Sequence, residues 1–180
     1  LKAMTGLQYR QVAPEVFYSD GGFRAVTDAD VAMLRSAAET SPRRRARLCL
    51  HDSPTDTQQE MVIVMHEDSY VRPHRHSRRV ETLGMIEGHC TAVLFHDDGS
   101  VYERAVLSAP GGGGAFFYRM PTGRYHTLLF DTRWTVFVET TIGPFDPSDN
   151  EGAPWAPAET DPTAGAAFLA QLRETSPTGA

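Results

Sequence analysis

Long apolar runs are missing from this 180-residue chain, which excludes a helical membrane span, since that needs about 20 consecutive apolar residues. Positive charge is not in excess either. A formal net charge of −6 argues against a general binder of nucleic acid or anionic membranes. Cysteine is scarce: Cys49 and Cys90 lie far apart in apolar surroundings, with no Cys-x-x-Cys, and read as buried free thiols in a reducing cytosol. No internal repeat is visible, and no linker is long enough to separate two domains. The opening, LKAMTGLQYRQ, lacks both a starting Met and the apolar stretch of a secretory signal, and reads as an expression remnant or a trimmed terminus. What is present is a hydrophobic content of 41%, enough for one domain with a core and against global disorder. The expectation is a cytoplasmic protein that binds neither nucleic acid nor membrane.

Residues 1–46 read as an N-terminal extension holding a short strand or two and a helix over 27–40. Thr27 is its candidate N-cap, Asp30 completes a capping box, Val31, Leu34 and Ala38 recur at helical spacing, and Pro42 stops it. The RRRAR that follows, Arg43 to Arg47, reads as a solvated link in preference to a phosphate patch. From 47 to 143 the pattern changes to short runs of β-branched and aromatic residues, such as EMVIVMH, RYHTLLF and TRWTVFVETTIG. Turn signals separate them, among them an Asp98-Gly99 pair that reads as a two-residue hairpin loop. Many short strands with no helix between them imply an all-β antiparallel sandwich or barrel. The GGGG at 111–114 precedes an aromatic strand and not a helix, so it reads as a flexible hairpin and not a phosphate loop. Phe117, Trp134 and Phe137 read as core or as apolar lining. The segment 144–180 is a proline-rich tail, expected to run extended over the barrel, ending in a short helix over TAGAAFLAQLRE.

The chemistry concentrates in RPHRHSRRVETLGMIEGH. Strand residues two apart share a face, so His74 and His76 project together, with Tyr70 and Arg72 on the same face if the strand carries no bulge. Paired imidazoles are half of a site for Zn, Cu, Fe or Ni. A bend would return Glu81 toward them, and His126, placed by a Pro-Thr-Gly turn, is available as a fourth group. Arg72 is either an anchor for a substrate carboxylate or phosphate, or half of a structural ion pair. Tyr70 either donates a hydrogen bond to a ligand or packs at the barrel rim. His51 shares strand parity with Cys49 and is either a base reaching the lumen or a satisfied core residue.

These two segments resemble the paired signatures of the cupin superfamily. His74, His76, Glu81 and Gly88 fit the first, G-x5-H-x-H-x3,4-E-x6-G, with Asp68 in place of its leading glycine. Pro121, Gly123 and His126 fit the second, G-x5-P-x-G-x2-H-x3-N, with Ala115 and Phe130 at its ends. Over roughly residues 27 to 160 the chain is similar to the WbuC-type cupin-fold metalloproteins. The resemblance implies an all-β double-stranded β-helix, or jelly-roll barrel, with an N-terminal helix and a short C-terminal helix. It implies a divalent metal on His74, His76, Glu81 and His126, with Fe(II) foremost and Mn, Ni or Zn as alternatives. The function it implies is a metal-dependent biosynthetic enzyme for a small, polar, anionic metabolite, the metal activating substrate, water or O2. In that reading Tyr70 and Arg72 are catalytic, and Arg72 and His51 contact the substrate. The alternative is a non-catalytic, metal-containing module that binds a sugar or sugar nucleotide. A homodimer, paired through the aromatic N-terminal segment, is expected.

Overall fold

The computed structural model describes residues 6–175, so the reading of the chain's opening and the outermost ends of the two flanking segments lie outside the described residues. Two antiparallel-rich sheets face each other. The larger contains β1 (Tyr9–Ala13), β2 (Val16–Ser19), β3 (Arg45–Cys49), β4 (Gln58–His66), β6 (Glu81–Glu87), β9 (Phe117–Met120) and β11 (Trp134–Ile142), in the order β1-β2-β3-β4-β11-β6-β9. The smaller contains β5 (His74–His76), β7 (His89–Phe95), β8 (Val101–Ser108), β10 (Tyr125–Phe130) and β12 (Asn150–Gly152), in the order β12-β5-β10-β7-β8. After β4 consecutive strands alternate between the sheets, except for the β7–β8 hairpin within the smaller one, so the chain winds a closed sandwich around one lumen.

The long apolar run in β4 follows from burial on both faces. Met61, Ile63 and Met65 point into the lumen with Leu83, Met85, Leu128, Phe130 and Phe137. Val62 and Val64 point outward beneath helix α1 (Asp28–Thr40), where they meet Leu34, Ala38 and Val136. A strand covered on both sides has no need to alternate polar and apolar residues. Helix α1 starts as its sequence predicts: the buried Asp30 carboxylate accepts from Thr27 N at 2.8 Å, and from Leu7 N at 2.6 Å. The second helix, α2 (Pro162–Glu174), is capped by Asp161 and covers the outside of the smaller sheet, where Leu169 and Leu172 pack with Tyr70, Phe95 and Leu129. Both cysteines are buried and free.

Four local expectations need correction. The hairpin between β7 and β8 turns on three residues, Asp97 to Gly99, because His96 N bonds Ser100 O and Gly99 takes a positive φ of 88°. Phe117 is 58% exposed: β9 edges the larger sheet, and its alternate residues Tyr118 and Met120 take the inward face. Arg45 and Arg47 are not in a link but inside β3. The tail does not merely lie on the barrel. Its β12 pairs with β5, Asn150 opposite His76 and Gly152 opposite His74, so the tail adds a strand beside the two histidines. The glycine run at 111–114 is a turn between β8 and β9, with Gly111 and Gly113 at positive φ.

Candidate metal centre

His74 and His76 stand on β5, Glu81 opens β6, and His126 lies on β10 directly across the ladder from His74. One ligand atom from each of the four lies within 4.8 Å of every other, and the group could hold a metal ion. Each imidazole has its Nδ1 beside a main-chain carbonyl: His74 with Arg72 O at 2.9 Å, His126 with Arg124 O at 2.9 Å, His76 with Asp149 O at 3.2 Å. Donation to those carbonyls places the ring proton on Nδ1 and leaves the Nε2 lone pairs toward the centre, the arrangement that orients metal-bound histidine. Arg79 Nε also lies 3.2 Å from His76 Nδ1. The carbonyl assignment is preferred because His76 Nε2 is buried with no hydrogen-bond partner, although Glu81 Oε1 is 2.8 Å away. An orphaned buried nitrogen next to a carboxylate is a place where a cation, or protons, must complete the balance. The donor set therefore fits a divalent metal.

Burial, reinforced by repulsion from His126, pulls His74 down to about 4, so this ring is neutral at pH 7 and free to ligate. Burial opposes ionisation of Glu81, but the adjacent His126 and His76 rings outweigh it and hold the carboxyl below its usual range.

The support comes from a residue that sequence reasoning passed over. Asp149, only 4% exposed, accepts from the main-chain nitrogens of Ser77, Arg78 and Arg79 at 3.1, 2.9 and 3.2 Å, and from Ser77 Oγ at 2.7 Å. Burial alone would raise its pKa, yet these hydrogen bonds bring it to about 2. The side chain fixes the bend between His76 and Glu81, while its carbonyl holds His76. No spacing pattern announces such a residue, because it arrives from the tail. Asp149→Ala is expected to weaken metal binding about 10–100-fold, read by competition with a chelator, because the bend loses its anchor.

A cavity of about 630 Å3 opens over the cluster, lined by His74, Glu81 and His126 and by Arg45, Arg47, Arg72, Tyr118 and Glu139 among others. Arg72 reaches it: Nη2 donates to Ala153 O at 2.6 Å, and among the described residues Nε is buried without a partner and no carboxylate pairs with the guanidinium. Tyr70 does not. The chain is irregular between β4 and β5, so strand parity does not extend back from His74. Tyr70 turns outward to donate to Pro157 O at 2.8 Å, and burial pushes its hydroxyl up to about 12. His51 is also outside the cavity lining. The strand ends at Cys49, and the ring packs edge-on against Tyr18, with Nδ1 3.2 Å from Glu60 O. Arg75 pairs with Glu151, Arg78 with Asp146 and Asp149, and Arg124 lies over Tyr102, whereas Arg79 lines the cavity.

Arg45, Arg47, Tyr118 and Glu139 were also missed. For the two arginines a signal existed: period two from the buried Cys49 puts Arg47 and Arg45 on the same face. Glu139 is strongly perturbed by its surroundings. Burial, with the Glu81 charge adding to it, raises its carboxyl to about 8 against the opposing pull of Arg79 and Arg47. A carboxyl raised in the fold costs no stability below its unfolded value of 4.5, and progressively more as pH climbs toward 8, because only the unfolded chain then ionises freely. Metal-free protein should lose thermal stability between pH 5 and 8, and Glu139→Gln should flatten that loss in scanning calorimetry.

The arrangement of two facing sheets around one lumen has solved counterparts. The capsular polysaccharide assembling protein CapF from Staphylococcus aureus superposes at a TM-score of 0.50 and 16% identity, over 63% of this chain and 30% of CapF. The chain has the cupin fold. The chain spans under a third of CapF's length. KdgF from Halomonas sp. aligns at 16% identity, covering 61% of this chain and 86% of KdgF, with a TM-score of 0.45. A sugar phosphate isomerase from a cupin superfamily of Silicibacter pomeroyi aligns at 17% identity over 55% and 59% of the two chains, with a TM-score of 0.43. A family model described as a domain of unknown function, DUF6016, matches residues 26–107 of the chain. No curated protein matches its sequence. Among the described residues no helix is long and apolar enough to cross a membrane.

Proposed function

We propose that this cupin is a metal-dependent enzyme acting on a small, polar, anionic metabolite in a biosynthetic pathway. The observation that carries the reading is the convergence of three carbonyl-tethered imidazoles and Glu81 at a cavity that also holds an unpaired guanidinium, Arg72. His74, His76, Glu81 and His126 would hold the metal, with Fe(II) the first expectation and Mn, Ni or Zn the alternatives. A metal held by these residues would supply Lewis acidity to a bound oxygen, or activate water or O2. Arg72 would orient the substrate's anion, its position set by the Ala153 carbonyl. Trp155, Phe168 and Tyr125 seal the outer side of the smaller sheet and keep bulk water from that wall. With Tyr70 and His51 turned elsewhere, neither enters this mechanism.

An aerobic turnover screen of small hydroxylated and phosphorylated acids tests the proposal, run beside His126→Ala. Turnover by the wild type that disappears in the variant supports it. Turnover that survives loss of the metal defeats it, and binding without turnover points to a non-catalytic module. The working state is proposed to be a homodimer: β1 is exposed along its whole length at the edge of the larger sheet, which supports pairing there. Sedimentation analysis should give twice the chain mass of 19.8 kDa, and a monomer would remove this part.

A further inference from the structure

Three cavity groups take no part in holding the metal and have no hydrogen-bond or ion-pair partner among the described residues: Arg47, Tyr118 and Glu139. The sheet register puts them on one wall. Tyr118 and Glu139 both lie opposite Leu83, one on each side of it, so they share a row across β9, β6 and β11. The next row along carries Arg47 on β3, beside Ile63 and Phe137. The preceding row carries Glu81, opposite Thr141. Successive same-face rows are about 7 Å apart along a strand. The wall thus reads, from the metal outward, as carboxylate ligand, then a hydroxyl and a carboxyl, then a guanidinium.

Tyr118 and Glu139 are partly buried, and polar groups withdrawn from water without partners are costly, so a fold keeps them where a ligand supplies the missing bonds. Arg47 is exposed and lines the same cavity with its guanidinium open to an arriving anion. The neighbouring Arg45 shows the contrast, since it is neutralised by Glu159 through contacts of 2.6 and 3.3 Å. Arg47 has no such partner. A guanidinium answers an anion, whereas a tyrosine hydroxyl beside a carboxyl answers alcohols, because together they can donate and accept.

We infer that Arg47, Tyr118 and Glu139 form the recognition wall for a chain-like hydroxy acid, with the anionic end at Arg47 and the hydroxyls at Tyr118 and Glu139. This rests on the metal-site reading and names the substrate class for it. A cavity of about 630 Å3 has room for an acid of six carbons.

A matched trio of six-carbon probes separates the terms: gluconate carries hydroxyls and an anion, sorbitol only hydroxyls, hexanoate only an anion. Binding is measured by titration calorimetry on protein with the metal content it carries when purified, and that content is checked by elemental analysis. The expected result is gluconate binding at least 10-fold tighter than either partial probe. Tyr118→Phe should weaken gluconate about 3- to 10-fold and leave hexanoate unchanged, and Arg47→Gln should weaken gluconate and hexanoate 10-fold or more while sparing sorbitol. Both variants should retain the wild-type metal content. Gluconate that binds no better than sorbitol and hexanoate, or that binds the variants as it binds the wild type through simple chelation, overturns the inference. Metal-free wild type that still shows the gluconate preference would support the wall by itself, and absence of turnover in the screen above would sink the enzyme reading while leaving the wall standing.

Discussion

His126→Ala protein is expected to emerge folded and without metal, whereas wild-type protein purified without added metal should carry close to one equivalent per chain. His126 is the one ligand supplied by β10, and its loss leaves two imidazoles and a carboxylate drawn from β5 and β6. Loss of a direct ligand leaves only three protein donors, so affinity should fall by more than the roughly 10–100-fold that an outer partner is worth. The ring is only 4% exposed and contacts solvent through the cavity, so alanine removes little of the surrounding core and the far-ultraviolet dichroism should stay unchanged. Elemental analysis decides the matter: full metal content in this variant would mean that the cation, if any, sits elsewhere.

Gly88→Ala should be the most damaging small substitution outside the site. Gly88 turns the chain from β6 to β7 at a φ of 80°, a region where a side chain is strained. An added Cβ would collide with the Trp134 carbonyl oxygen and lie 2.5 Å from Thr132 Oγ1. Thr132 Oγ1 cannot simply step aside, because it accepts from His89 N at 3.0 Å and donates to Trp134 O at 2.9 Å. Strain and a broken corner together should cost about 3 kcal/mol or more. For a chain of this size that lowers Tm by roughly 6–12 °C in scanning calorimetry. A variant melting with the wild type would show that the corner relaxes freely.

Several elements were readable because their causes are local. The start of α1 needed only Thr27 and Asp30 three residues apart, and the helix then followed the spacing of Leu34 and Ala38. The histidine pair was readable because a strand repeats every two residues. Where the strand stops, that arithmetic stops with it. Tyr70 lies outside β5 and His51 outside β3, and of the two alternatives open to each, both take the one away from the cavity. Arg47 shows the converse, since it is inside the strand and parity from Cys49 would have found it.

By itself the sequence determined the barrel class, the two helices and the identity of the four candidate ligands, since alternation, capping and the turn before His126 act over a few residues. Tertiary structure alone decided that the tail would return as β12 to brace the histidine strand through Asp149, and that Arg47, Tyr118 and Glu139 would share a wall. Those groupings join residues far apart in the chain, and their energy comes from sheet pairing and burial, which no local pattern encodes.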